Sequence, residues 1–428
     1  MRITRHVSNW IATAAALGLL ATEGNTQESI VKLEAFVTEG SAIGDLGAMS
    51  TRLSDSIFGI DLSLNETPRS VSVVTSEMID QFSVSSLNDI IKLTPGTFTS
   101  SFFGIEGSLE IRGSTSETYF RGFKRLDNPG HFPTPIGAAE RIEVVRGPAS
   151  PIFGPGKIGG YLNFVPKSAR ASTGRYLEKT SGSTKISYGS WDKRVAELQF
   201  LGPLKIPGTE GAGYSAYVMV ESSGSFYTNS FQDQRVFQVS LDADLSSKVR
   251  VESGAMYHYW NGTENAGWNR ITQELIDSGK YLRGRAQNFD LNNDGRVDGN
   301  EYNRVGGIFE LVFVNPDGSV SSTPFGPPLA APTNPNLALD PADPLTGTFT
   351  TLSAKTVMID SIDQGESDSF LAYFDLIADS NPNLGFQNRS FFEFMDRWKT
   401  ASYGFSQSQK QNLFENKTVV NHRFEPAS

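Results

Sequence analysis

Beyond Lys167, apolar and polar residues alternate one for one over successive stretches of about ten residues. They run from Thr184 to Ser190, Arg194 to Phe200, Ser215 to Glu221, Arg235 to Asp244 and Lys248 to Trp260, then from Ser369 to Ala378, Leu384 to Asp396 and Thr418 to Phe424. A period of two places successive side chains on opposite faces of a strand, so this half of the chain must form sheet with two unlike faces. Segments of this length between turn residues resemble the strands of a transmembrane β-barrel. Strands of a soluble β-sandwich alternate too, but run shorter, at about 5 to 6 residues. Tyr188, Trp191, Tyr257, Tyr259, Trp260 and Trp398 stand near strand ends, where a barrel carries its aromatic girdles. No apolar run reaches the roughly 20 residues of a membrane-crossing helix.

Residues 261–368 interrupt the strands with an insertion of about 110 residues, polar and rich in Pro and Gly, too long for an ordinary connection. Asn381-Pro382-Asn383 supplies a tight turn, and long loops and tight turns fall on opposite sides of an outer-membrane barrel. The insertion is therefore expected outside the cell. Within it, Asp290, Asn292, Asp294, Arg296 (through its carbonyl), Asp298 and Glu301 fit the twelve-residue calcium loop at every ligand position, with Gly295 at its turn. Gly284 weakens the preceding stretch as a helix, so a lone Ca2+-ordered loop is expected rather than a paired helix-loop-helix sensor. A solvated Asn/Asp/Gly turn is the plain alternative.

Upstream, Arg2 and Arg5 precede an apolar stretch from Trp10 to Ala21, the pattern of a signal peptide over residues 1–27. Residues 28–54 combine an alternating run, Val31, Lys32, Leu33, Glu34, Ala35, Phe36 and Val37, with a Gly/Ser/Thr-rich linker. Such a run is a strand able to add to the sheet edge of another protein. Residues 55–167 read as a small α/β domain. Its strands are expected at Val71 to Val74, Leu109 to Arg112, Arg141 to Val145 and Tyr161 to Val165, with helices capped by Ser76 and by Ser86, the second running from Leu87 to Leu93. The formal charge of −10 argues against a nucleic-acid partner, and the absence of Cys removes disulfides, thiol nucleophiles and thiolate metal sites. Gly154-Pro155-Gly156-Lys157-Ile158 lacks the residues of a phosphate loop, and no catalytic arrangement is visible, so no enzyme is expected.

The stretch Arg141-Ile142-Glu143-Val144-Val145-Arg146-Gly147-Pro148 through Phe153-Gly154, followed by Gly159-Gly160-Tyr161-Leu162-Asn163-Phe164-Val165-Pro166-Lys167, resembles the plug signature of TonB-dependent outer-membrane receptors. Pro68-Arg69-Ser70-Val71, Leu93-Thr94-Pro95-Gly96 and Ile111-Arg112-Gly113 resemble other plug motifs in the family's order. One departure is Phe123-Lys124-Arg125, which stands where the family has a short polar insert with Asp-Gly.

The resemblance implies a mixed fold, a small α/β plug followed by the N-terminal part of an antiparallel transmembrane β-barrel over residues 168–428. The complete family fold has 22 strands, and these residues, less the insertion, hold about eight, so the chain is expected to be an incomplete receptor. It further implies residence in the bacterial outer membrane and active uptake of a scarce ligand, a ferric siderophore first, with energy from TonB and its inner-membrane complex. Residues 31–37 would be the TonB box. Iron would enter only within the transported ligand, with no cofactor required. Arg112 and Arg146 would anchor the plug to wall carboxylates. Phe102, Phe103, Tyr119, Arg121, His131 and Phe132 are the candidates for ligand contact, and an anionic ligand would favour Arg121, Lys124 and Arg125. Carbohydrate or cobalamin import is the alternative within the family, and a secreted calcium-stabilised β-protein binding extracellular polymer is the alternative outside it.

Overall fold

The computed structural model describes residues 67–422 apart from 100, 102, 129, 155, 171–174, 266–271, 283–308, 315–319, 326–348, 362, 382 and 401–406, together with a few residues between 53 and 63. The leader at 1–27, the run at 31–37, Phe102 and the calcium-loop sequence at 290–301 lie outside the described residues.

The N-terminal domain holds β1 (Ser70–Thr75), α1 (Ser76–Gln81), α2 (Leu87–Ile90), β2 (Glu117–Phe120), β3 (Phe123–Lys124), β4 (Ala139–Arg146) and β5 (Gly160–Pro166). The sheet order is β1-β4-β5-β2-β3, with β5 and β2 parallel and the other pairs antiparallel. β4 and β5 are central and buried along most of their length, which is why Ile142-Glu143-Val144-Val145 does not alternate. The α1 cap is Thr75, one residue ahead of the expected Ser76, because its extended backbone lets Oγ1 accept from the Met78 N–H at 3.3 Å. α2 stops at Ile90 rather than Leu93. There the Leu93 N–H (2.9 Å) and the Thr94 hydroxyl (2.9 Å) both bond to the Ile90 carbonyl and close the chain as a turn before Pro95.

The second unit is one antiparallel sheet in which each strand pairs with the next. It comprises β6 (Ser181–Tyr188), β7 (Arg194–Pro203), β8 (Gly211–Gly224), β9 (Phe231–Ser246), β10 (Val249–Gly262), β11 (Gln364–Asn381), β12 (Leu384–Thr400) and β13 (Gln407–His422). From β8 onward the strands have 14 to 18 residues, longer than the alternation alone indicates. Ladder pairing continues past the apolar stretch into polar ends such as Glu221–Gly224 and Gln364–Ser367. Tight turns join β9 to β10 and β11 to β12. The insertion between β10 and β11 carries elements of its own: a helix at Gln273–Ser278 capped by Thr272, a ribbon of Lys280–Leu282 with Phe349–Thr351, and a hairpin of Phe309–Val314 with Val320–Phe325.

The two faces of the sheet differ as the period of two requires. On β9, Gln234, Val236, Gln238, Ser240 and Asp242 are buried, whereas Phe237 and Leu241 are exposed. The inner face packs Met219, Val236, Met256, Leu371, Tyr373 and Phe391 against Phe120, Phe123 and Ile136 of the N-terminal domain. The outer face exposes Phe237, Leu241, Phe370, Phe374, Phe392 and Phe414, an apolar surface suited to hydrocarbon. Trp260 departs from the girdle expected of it. It is 1% exposed and packs against Phe132, because it shares the inward phase of His258 while Tyr257 takes the outward one.

Candidate functional site

Arg121-Gly122 forms the two-residue loop between β2 and β3, with both φ angles positive (50° and 78°). Type I′ turns require this backbone and Gly tolerates it, whereas a long side chain in the left-handed region stores strain of order 1–3 kcal/mol, as strained functional positions do. The strain aims Arg121 at the sheet. Its Nη2 donates to Glu252 Oε2 and Asp375 Oδ2, each at 2.6 Å, and its guanidinium lies 4.5 Å from the centre of the Tyr373 ring.

Those carboxylates belong to a row of register partners across five strands: Asp242, Glu252, Asp375, Arg389 and Lys417 on β9 to β13. Three acids side by side repel one another, and Arg121 supplies the cation that the acidic end lacks. Burial by itself would lower the Arg121 pKa. The charges of Asp375 and Glu252 outweigh it and raise that pKa well above the ordinary value. Arg389 completes the grip, bonding Asp375 through Nε at 3.1 Å and the Arg121 carbonyl through Nη2 at 2.8 Å. Lys417 donates to the Gly122 carbonyl at 2.9 Å over the Phe123 ring.

One level along the strands, Arg125 donates from Nε and Nη2 to Glu393 Oε1 at 2.9 and 2.7 Å, and the Leu126 N–H donates to Glu393 Oε2 at 2.9 Å. Both side chains of this pair are buried. At the end nearest the insertion, Arg397 and Lys399 both pair with Glu264 at the root of the insertion, and Arg397 Nε donates to the His131 carbonyl at 3.3 Å. There the Asn265 N–H bonds to the Phe103 carbonyl at 2.5 Å. Toward β7 to β9, beside the packing of Met219 and Val236 and the Gln238 Nε2 bond to the Ala138 carbonyl at 2.9 Å, lies a cavity of about 190 Å³ lined by Glu106, Pro133, Glu197, Tyr217, Glu221 and Gln234.

Residues 63–161 match the family model of the TonB-dependent receptor plug domain. That segment is a TonB-dependent receptor plug domain. Over 215 residues it is 26% identical to the ferripyoverdine receptor of Pseudomonas aeruginosa, an alignment covering 49% of this chain and 25% of that protein. It is 25% identical over 204 residues to the ferrioxamine B receptor of Salmonella typhimurium, covering 45% of this chain and 28% of that protein. The solved outer-membrane ferripyoverdine receptor of P. aeruginosa superposes with a TM-score of 0.60 at 16% identity, covering 95% of this chain and 46% of that one. PiuA of Acinetobacter baumannii, a siderophore receptor, gives 0.60 at 15% identity, covering 90% and 46%. The chain spans less than half the length of these structures, and they share its fold: a plug lying against antiparallel strands of an outer-membrane barrel.

The plug and wall rearrange the expected site. Arg146 is not paired with a wall carboxylate in its described bonds. Its Nε donates to the Pro95 carbonyl at 3.0 Å and its Nη2 to Ser72 Oγ at 3.0 Å, so it ties β4 to β1 and the Pro95 turn inside the plug. Arg112, at φ 53° in a second Arg-Gly turn, is exposed. Arg121 and Arg125 make the buried plug-to-wall pairs described above instead, because the β2-β3 end of the sheet lies against β10 to β13.

Of the ligand candidates, Tyr119 is fully buried against Phe153 and Tyr161, its hydroxyl donating to Glu117, and Phe132 is buried beside Trp260 and His258. His131 is buried too. Burial, then the nearby Arg397 charge, lowers its pKa to about 4. Phe103 remains partly accessible at the plug apex, with the Lys399 amine 5.6 Å from its ring centre. Glu252, Asp375, Arg389, Glu393 and Arg397 escaped the sequence reading. Their signal was there: charged residues in the odd-numbered phase of Arg389, Phe391, Glu393, Met395 and Arg397, opposite Phe392 and Phe394.

Proposed function

We propose that this chain serves TonB-energised uptake of a ferric siderophore across the outer membrane, with the plug as the gate. The observation that carries the reading is the similarity, over about half of the chain, to receptors named for ferripyoverdine and ferrioxamine B. The site geometry supports a gate that can open. The buried ion pairs hold the plug on β10 to β12, whereas the β7 to β9 side combines apolar packing and neutral hydrogen bonds with a cavity beside them, so displacement begins on the cavity side. Water can replace each plug cation as it leaves the wall, which keeps the latch reversible. TonB would act on residues 31–37 by strand addition, and a pull there reaches β1 through the linker. The test is radioiron uptake by an iron-limited host with the receptor gene intact or deleted, offered a panel of chelates including ferripyoverdine and ferrioxamine B. Deletion should abolish uptake of one chelate. Loss of TonB should abolish that uptake while sparing binding. Unchanged uptake across the whole panel would refute the reading.

A further inference from the structure

Two of the cavities between the plug and the wall adjoin. The cavity of about 190 Å³ is the nearer to the insertion, and a second of about 50 Å³ continues from it toward the tight turns, past Asp80, Lys167 and Gln199. Four residues line both: Val84 and Gly137 of the plug, Glu197 of β7 and Tyr217 of β8. The cavities meet there at a neck. β7 and β8 are each paired on both sides, so the neck is framed inside the sheet and does not lean on its edge.

Tyr217 closes the neck. It is 3% exposed, and its hydroxyl lies so close over Gly137 that no Cβ would fit there. Glu197 Oε1 stands 3.5 Å from where that Cβ would be, and the Lys167 amine lies 5.6 Å from the centre of the Tyr217 ring. Among the described residues the Tyr217 hydroxyl has no hydrogen-bond partner, and neither has Oε1 of the buried Gln238, its register partner on β9. Buried polar groups of this kind call for water, and the larger cavity, lined by carboxylates and amides, has room for several. Its lining sets three carboxylates, Glu106, Glu197 and Glu221, against the amine of Lys193, so cations concentrate in it. The smaller cavity is balanced, with Asp80 and Glu197 against Lys167 and Lys185.

We infer that the two cavities form a hydrated side passage along β7 and β8 for water and small cations, stopped at one point by Tyr217. A space of about 50 Å³ is far too small for an iron chelate, so the passage is distinct from the route by which a chelate would cross.

The test is the conductance of the purified receptor in planar bilayers bathed in potassium chloride, which involves neither a chelate nor TonB and so stands apart from the uptake reading. The parent should be silent. Tyr217→Ala should join the cavities and give a conductance that prefers potassium to chloride, and adding Glu197→Gln should weaken that preference. Met219→Ala, two residues along the same inward phase and lining the larger cavity alone, should stay silent. The chain has no cysteine, so a single introduced thiol reports cleanly. In Tyr217→Cys, cationic aminoethyl methanethiosulfonate should react faster than its anionic sulfonatoethyl counterpart. Four results would each overturn the inference: a conducting parent, a silent Tyr217→Ala receptor that keeps the heat-modifiable mobility of a folded barrel, equal conductance in Met219→Ala, or equal rates with the two thiol reagents.

Discussion

Removing the guanidinium of Arg125 tests whether buried ion pairs latch the plug to the wall. Arg125→Met keeps the length of the side chain and strips Glu393 of both its charged donors, leaving the carboxylate buried with the Leu126 N–H alone. Breaking one partner of a buried pair costs about 3–5 kcal/mol. At about 1.4 kcal/mol per tenfold, plug opening should rise by roughly two to three and a half decades. The assay is native-state hydrogen exchange of the receptor in micelles, followed on peptides covering β2 to β3 and, as an internal control, on β9 to β11. Exchange should accelerate in the plug and stay unchanged in the wall. The decisive variant adds Glu393→Gln, which removes the orphaned charge while keeping an oxygen for the Leu126 N–H. It should recover most of the loss, since replacing a whole buried pair is often close to neutral. If the double variant opens as readily as Arg125→Met alone, packing of the long side chain holds the plug and the electrostatic account is wrong.

Three further outcomes follow from the same geometry. His131 is held neutral, with its pKa near 4 against an ordinary 6.5, so its contribution is intact above pH 6.5 and is lost as the pH falls toward 4. At about 1.4 kcal/mol per pH unit the loss reaches roughly 3 kcal/mol, and exchange of the 126–136 segment between pH 7 and pH 4 should show it, with His131→Asn abolishing the dependence. Phe36→Pro should abolish uptake and spare ligand binding, because Pro removes a main-chain donor from the added strand, and equal loss of both would exclude a TonB box at 31–37. For the 290–301 loop we propose Ca2+ binding at about 10⁻⁴ to 10⁻³ M, measured by calorimetry on the receptor. Glu301→Gln should remove the heat, and its absence in the parent at millimolar calcium would end the idea.

Much of the fold was legible in the chain because its causes are local. Alternation reports a two-faced strand wherever it occurs, and the Arg-Gly and Gly-Gly doublets of the plug mark turns that only certain backbones enter. The same reading located β9 to β12 and the insertion, but clipped strand ends where pairing with a neighbour, not apolar pattern, sustains the ladder. It misjudged Trp260 because the inward phase of a strand is set by what packs against it.

The latch was beyond reach for a stronger reason. Asp242, Glu252, Asp375, Arg389 and Lys417 are scattered over β9 to β13 and become one row only through the register of four strand pairs. Arg112, Arg121 and Arg146 each precede a glycine in similar local sequence, yet one is exposed, one grips the wall and one clamps the plug interior. Local sequence determined that each arginine would stand beside a turn. Only the docking of the β2-β3 end against β10 to β13 decided which of them would meet a carboxylate, because a charge pair depends on distance in space and not along the chain.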